Sequence, residues 1–138
     1  MKRLVLIFLT ACSVFSPKPS ETLGESVRAY NEGIRWERFE VAAIHVPSKQ
    51  RSQFVDESDL RAKDLKITDY DVIRVEQRGD REAHVQVKLE WYKNSEGTMH
   101  ETHAVQTWER HGQDWLLVDE SRLRGAEMPG LPEPLTKD

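Results

Sequence analysis

The chain has 138 residues, 38% hydrophobic and 32% charged, which is material for one modest core under a heavily solvated surface. Its 20 lysines and arginines stand against 24 acidic residues, a net charge of −4. That balance argues against nucleic acid as a partner, because phosphate recognition needs a basic face.

The N-terminus departs from this profile. Lys2 and Arg3 precede an uncharged run, Leu4 to Leu9, with the small Ala11 before Cys12, the only cysteine of the chain. The run is too short for a bilayer that needs about 20 apolar residues, but it suits the h-region of a secretory signal. Leu9-Thr10-Ala11-Cys12 resembles the lipobox of bacterial lipoproteins, in which cleavage before the cysteine leaves it to carry lipid. The resemblance implies a signal peptide over 1–11, lipid on Cys12 and a membrane as partner. An ordinary cleaved signal, or a buried apolar N-terminal strand, is the alternative, and each leaves an unpaired thiol in an exported protein unexplained. Ser13 follows the cysteine where enteric-type sorting uses aspartate for inner-membrane retention, so the expected address is the periplasmic face of the outer membrane. Loss of residues 1–11 leaves 18 basic against 24 acidic residues, a net charge of −6.

Residues 12–23 are expected to form a tether. "SVFSPKPSETL" holds two prolines and three serines without a period, and semi-extended chain covers about 3 Å per residue. A domain is expected over 24–124. Val27, Tyr30, Asn31 and Ile34 fall on one face of a first helix over about 22–35. Trp36, Phe39, Ala42, Ala43 and Val46 form a second helical set ended by Pro47. "SKQRSQFVDES" reads as a third short helix or turn that packs Phe54 and Val55 beneath the others, and "ESDLRAKDLK" as a solvated helix end and loop.

Beyond Leu65 the period changes to two. "LKITDYDVIRV", "AHVQVKLEWY", "HETHAVQTWER" and "WLLVDESRL" read as strands joined by "RGDR", "NSEG" and "RHGQD", each with a glycine. In the second strand Ala83, Val85, Val87, Leu89 and Trp91 point to one face and His84, Gln86, Lys88 and Glu90 to the other. The tail over 125–138, with five glycine or proline residues, is expected to be extended or disordered, and could dock on a partner as a peptide.

Helices first and a four-stranded antiparallel meander after them make an α+β fold with helices on one sheet face. The order "AYNEGIRWERFEVAAIHVPSKQRSQF", then four strands closing on "GQDWLLVDES", resembles the nuclear transport factor 2-like (SnoaL-like, cystatin-like) superfamily over about 24–124. It also resembles small proteobacterial lipoproteins with that fold and no assigned activity. The resemblance implies a cone of helices and curved sheet that holds a small molecule, or an interaction module when its mouth is filled. Members resembling steroid isomerases set an acidic base against a tyrosine and a carboxylic acid. Here such groups would come from Tyr30, Asp69, Asp71, Glu101, His103 and Asp119, none of which aligns to that pattern, and fold does not carry function across.

Tyr30, Trp36, His103 and Asp119 are the candidate cavity or ligand residues. His100 and His103 lie three apart and so on opposite faces of a strand, which keeps them from sharing a metal. His103 has Glu101 as its neighbour on one face, an arrangement for a rim hydrogen bond or, if buried, a general base. Trp91, Trp108 and Trp115 suit core packing across neighbouring strands. Asp69 and Asp71, near a strand start, read as solvated. No catalytic residue, metal site or cofactor is indicated, and no phosphate-cradling loop or nucleophilic cysteine is present. Two functions follow: a non-catalytic envelope module that binds another protein or its own copy, favoured by the mixed charge of the polar sheet face, or a small-molecule binder or isomerase-like enzyme using the cone. An apolar cavity with an inward ionisable group would favour the second, and a large apolar patch on the outer sheet face the first.

Overall fold

The computed structural model describes residues 21–134. The signal segment, Cys12, the tether up to residue 20 and the last four residues lie outside the described residues. Three α-helices precede a four-stranded antiparallel sheet of order β1-β2-β3-β4, an α+β architecture.

Helix α1 (Leu23–Arg35) starts where its sequence can satisfy its free amides. The Thr22 hydroxyl accepts from the Glu25 amide while the Glu25 carboxylate accepts from the Thr22 amide, a reciprocal cap. The helix with its cap covers the span expected of it, about 22–35. Val27, Tyr30 and Asn31 are buried on its inner face. The helix ends at Trp36, and Glu37 takes a left-handed φ of 56°. That turn breaks the phase between the helices, so the expected set is divided. Phe39, Ala42, Ala43 and Val46 are buried, whereas Trp36 is 58% exposed. Helix α2 is only Phe39–Ala43, and a 3-10 turn at Ser48–Gln50 leads into α3 (Arg51–Arg61). Phe54 on α3 packs against the core, as its spacing implies.

Strands β1 (Leu65–Arg78), β2 (Glu82–Lys93), β3 (His100–His111) and β4 (Asp114–Gly125) form the meander. Alternation holds along β2, where Ala83, Val85, Val87, Leu89 and Trp91 are all buried. Trp108 and Trp115 join them in one core, each large side chain contributing on the order of 1.5–3 kcal/mol through burial. Asp69 and Asp71 are exposed, as solvated residues. The edge strands are interrupted: β1 shifts register between Ile67 and Asp69 and between Val72 and Arg74. In β4, Trp108 pairs with Leu117 and Thr107 with Asp119, leaving Val118 as an unpaired bulge.

The tail is extended, without helix or strand over 126–134. Residues 126–133 fold back as a strap on their own domain. Gly125 turns the chain at φ 88°, with its α-carbon so close to the Glu101 carbonyl that a side chain would collide with it. The Ala126 amide then donates to the Glu101 carbonyl (3.0 Å) and the Arg122 amide to that of Pro132 (2.8 Å). Leu131 is buried in the core. Glu133 accepts both Nε and Nη2 of Arg122, each at 2.7 Å.

Candidate functional site

The inner sheet face, α1, α3 and the strap enclose a partly open cavity of about 250 Å³. Its apolar wall comes from Ile34, Phe39, Val46, Phe54, Leu65, Ile67 and Leu117, and Met128 to Pro132 close one side. Its polar lining includes Tyr30, Ser58, Arg61 and Glu120, together with Glu37, Gln50, Glu57 and Asp119.

Tyr30 is placed by α1, one turn after Val27, and its ring packs edge-on against Trp108 with centroids 5.9 Å apart. Phe54 tilts against its other side at 6.1 Å. Burial, reinforced by the Glu120 charge, holds the phenol well above its ordinary pKa, and Arg61 opposes this only in part. Tyr30 is therefore a neutral hydroxyl at physiological pH, suited to hydrogen bonding.

Glu120 faces inward because of the bulge. Counting by twos from Trp115 and Leu117 would place Asp119 inside, but unpaired Val118 resets the parity. Glu120 thus stands opposite Gln106 on the buried face, while Asp119 pairs with outward Thr107 and reaches only the cavity rim. Gln106 Nε2 donates to Glu120 Oε2 at 2.6 Å and to Asn31 Oδ1 at 2.9 Å, and its Oε1 accepts from Trp108 Nε1 at 3.2 Å. Burial raises the Glu120 pKa, and the Gln106 hydrogen bond and Arg61 pull it partly back. Arg61 lines the same space and packs its guanidinium on Gly130 of the strap. Among the described residues it makes no ion pair.

Of the four residues singled out from the sequence, the structure brings Tyr30 to the cavity and Asp119 to its rim. Trp36 lies outside, donating through Nε1 to Glu32 at 2.8 Å under the Arg35 guanidinium, because it caps α1 nearly opposite Ile34 and the Glu37 turn separates it from the phase of α2. His103 also lies outside. Even-numbered residues of β3 are buried from Thr102 to Trp108, so His103 sits on the outer face and meets Glu101 at 3.0 Å, the rim arrangement. His100 lies on the other face and stacks on Trp91, 4.5 Å between centroids. Glu120 and Arg61 were missed. The first is hidden by a bulge with no local sequence signal, and the second sits in a charge-rich segment indistinguishable from a solvated helix end.

No histidine lines the cavity. His45, the buried histidine, lies behind Trp108, and burial lowers its pKa toward the neutral imidazole. Among the described residues no group of three or more histidines, cysteines, aspartates or glutamates is placed to hold a metal ion, and no helix is long and apolar enough to cross a membrane. The cavity thus offers a neutral hydroxyl, a carboxyl group and a guanidinium around an apolar wall, a set that holds and orients a small molecule.

The sequence matches no family model and no curated protein. Its fold is similar to the solution structure of a SEC-C motif containing protein from Rhodopseudomonas palustris, with a TM-score of 0.62 and 11% sequence identity over 72% of this chain and 77% of that chain. At that identity the likeness is one of fold alone.

Proposed function

We propose that this chain is an exported lipoprotein, anchored through lipid on Cys12 at the periplasmic face of the outer membrane, whose nuclear transport factor 2-like domain binds a small, partly apolar molecule. The observation that carries the binding reading is the pair Tyr30 and Glu120, two ionisable groups shifted by burial in the wall of a cavity of mixed apolar and polar lining. Binding is put before catalysis because Tyr30 and Glu120 influence each other through charge and not through a hydrogen bond, and no cysteine or histidine lines the space. An envelope module that binds through its outer sheet face has less support, since outward positions of β2 and β3 carry polar ion pairs such as His84–Glu82 and His103–Glu101 rather than an apolar patch.

The test is native mass spectrometry of the full-length lipoprotein extracted with its native lipids in polymer nanodiscs. A bound small-molecule mass in the parent, reduced severalfold in the Arg61→Ala/Glu120→Ala variant, supports the reading. An empty parent, or equal occupancy in both, overturns it.

A further inference from the structure

We propose that β1 pairs edge to edge with β1 of a second copy of this chain, antiparallel and centred on Val75. Strand β1 is an edge of the sheet, and every residue from Asp71 to Arg78 is exposed. Among the described residues, no backbone hydrogen bond other than those to β2 reaches this stretch. Its unpaired amides and carbonyls are a template for another strand.

Exposed edges are commonly blocked by bulges and charge. Beyond the Val72/Arg74 irregularity, however, residues 74–78 pair with β2 without a break, so a regular segment reaches the strand's end. Three aliphatic side chains stand in water along the edge: Val72 at 37%, Ile73 at 46% and Val75 at 51% exposure. Val72 and Val75 pair with Val87 and Val85 of β2, buried residues, so both lie on the inner face, next to Leu23 and Val27 at the start of α1. Arg74, Glu76 and Arg78 pair with outward residues of β2 and alternate in sign on the outer face.

That alternation selects the partner and the register. In an antiparallel pair related by a two-fold axis normal to the sheet, opposed side chains share a face, so the axis must pass through a residue. Centred on Val75, it sets Arg74 opposite Glu76 twice and Val75 opposite itself, with both copies of Ile73 beside the contact. Centred on Arg74 or Glu76, it would set like charges face to face, and centred on Gln77 it runs the pairing off the strand at Arg78. Centred on Gln77 it also sets Glu76 opposite Arg78, so Val75 is chosen as the complementary centre that keeps strand on both sides of the contact. The two α1 starts then lie on the same sheet face near the axis, which lets two Cys12 anchors reach one bilayer. Confinement to a membrane raises the effective concentration for so small an interface.

The test uses the full-length protein in its native membrane carrying Val75→Cys, crosslinked with a short bismaleimide, with the parent as baseline. Opposed β-carbons lie about 5 Å apart in such a pair, so a covalent dimer is expected. Adding Glu76→Arg should lower the dimer fraction roughly tenfold, since it opposes like charges at two symmetric positions. The swap Arg74→Glu/Glu76→Arg should restore it. These side chains are solvent-exposed, and an unchanged thermal midpoint shows that folding is intact. A dimer yield at the parent's baseline, or one indifferent to Glu76→Arg, or a swap that fails to rescue, overturns the proposal. None of these outcomes depends on whether the cavity holds a ligand.

Discussion

Gln106 on β3 and Glu120 on β4 share a hydrogen bond of 2.6 Å on the buried face, and through it the cavity carboxyl group is tied to Asn31 of α1. One side chain therefore positions a site residue and joins sheet to helix. Replacing Gln106 with leucine strands the Asn31 oxygen, the Glu120 oxygen and Trp108 Nε1 together. The expected cost is about 1–3 kcal/mol for each unsatisfied group, read as a lower urea midpoint at unchanged m-value.

Glu120 sets a pH dependence with a definite sign. Its folded-state pKa lies above the ordinary glutamate value because burial disfavours the charged form. The folded state therefore binds the proton more tightly than the unfolded chain. The resulting stabilisation is full below the unfolded pKa and is lost as pH rises through the folded one. Glu120→Gln removes this loss while keeping an oxygen for Gln106. The variant should gain stability over the parent at pH 8, with the difference shrinking toward pH 4. Urea midpoints across that range check it, and a difference independent of pH contradicts the assignment.

The strap is held by Thr102, whose hydroxyl accepts from Trp91 Nε1 at 2.9 Å and donates to the Ala126 carbonyl at 2.6 Å. Thr102→Val keeps the volume and removes both bonds, with an expected cost of about 2 kcal/mol. Amide exchange at Leu131 should accelerate in this variant more than exchange in the centre of β2, because residues 126–133 lose a backbone attachment, whereas β2 loses only the side-chain bond of Trp91 near its end and keeps its ladder.

Leu131 seats the same strap in the core at 9% exposure. Leu131→Ala should cost about 2 kcal/mol, at the low end for a core leucine because the site lies at the cavity margin and can relax. Thermal denaturation gives the magnitude. An increase in binding of a small apolar dye, absent in the parent, would report the widened opening.

Cys12→Ala tests the address. Without the thiol no lipid is attached, and the protein should move from the membrane pellet to the soluble fraction on cell fractionation. Persistence in the pellet would contradict the anchor.

Much of the scaffold was legible in the sequence because its signals are local. Apolar spacing marks the first helix, glycine-bearing turns separate the strands, and the alternation of β2 appears unchanged in its burial. Tyr30 was legible for the same reason, since helical spacing put it beside Val27 and Ile34. Trp36 failed on a single left-handed residue, Glu37, which ended one helix and offset the next. His103 failed on strand parity. Both of its faces were open to the sequence, and the choice fell to which set, Thr102 to Trp108 or Glu101 to Val105, met the helices.

By itself, then, the sequence determined the α+β order, the strand boundaries to within a few residues and the core tryptophans, because periodicity and turn chemistry act over a few neighbouring residues. Only the tertiary structure decided that Glu120 rather than Asp119 enters the cavity, that Arg61 lines it and that the tail closes one side. A bulge exists only relative to the strand it pairs with, and a strap only relative to the surface it covers. The physical reason is that these placements are fixed by contacts between residues far apart in the chain, such as Gln106 with Asn31 and Arg61 with Gly130, which carry no periodic trace along it.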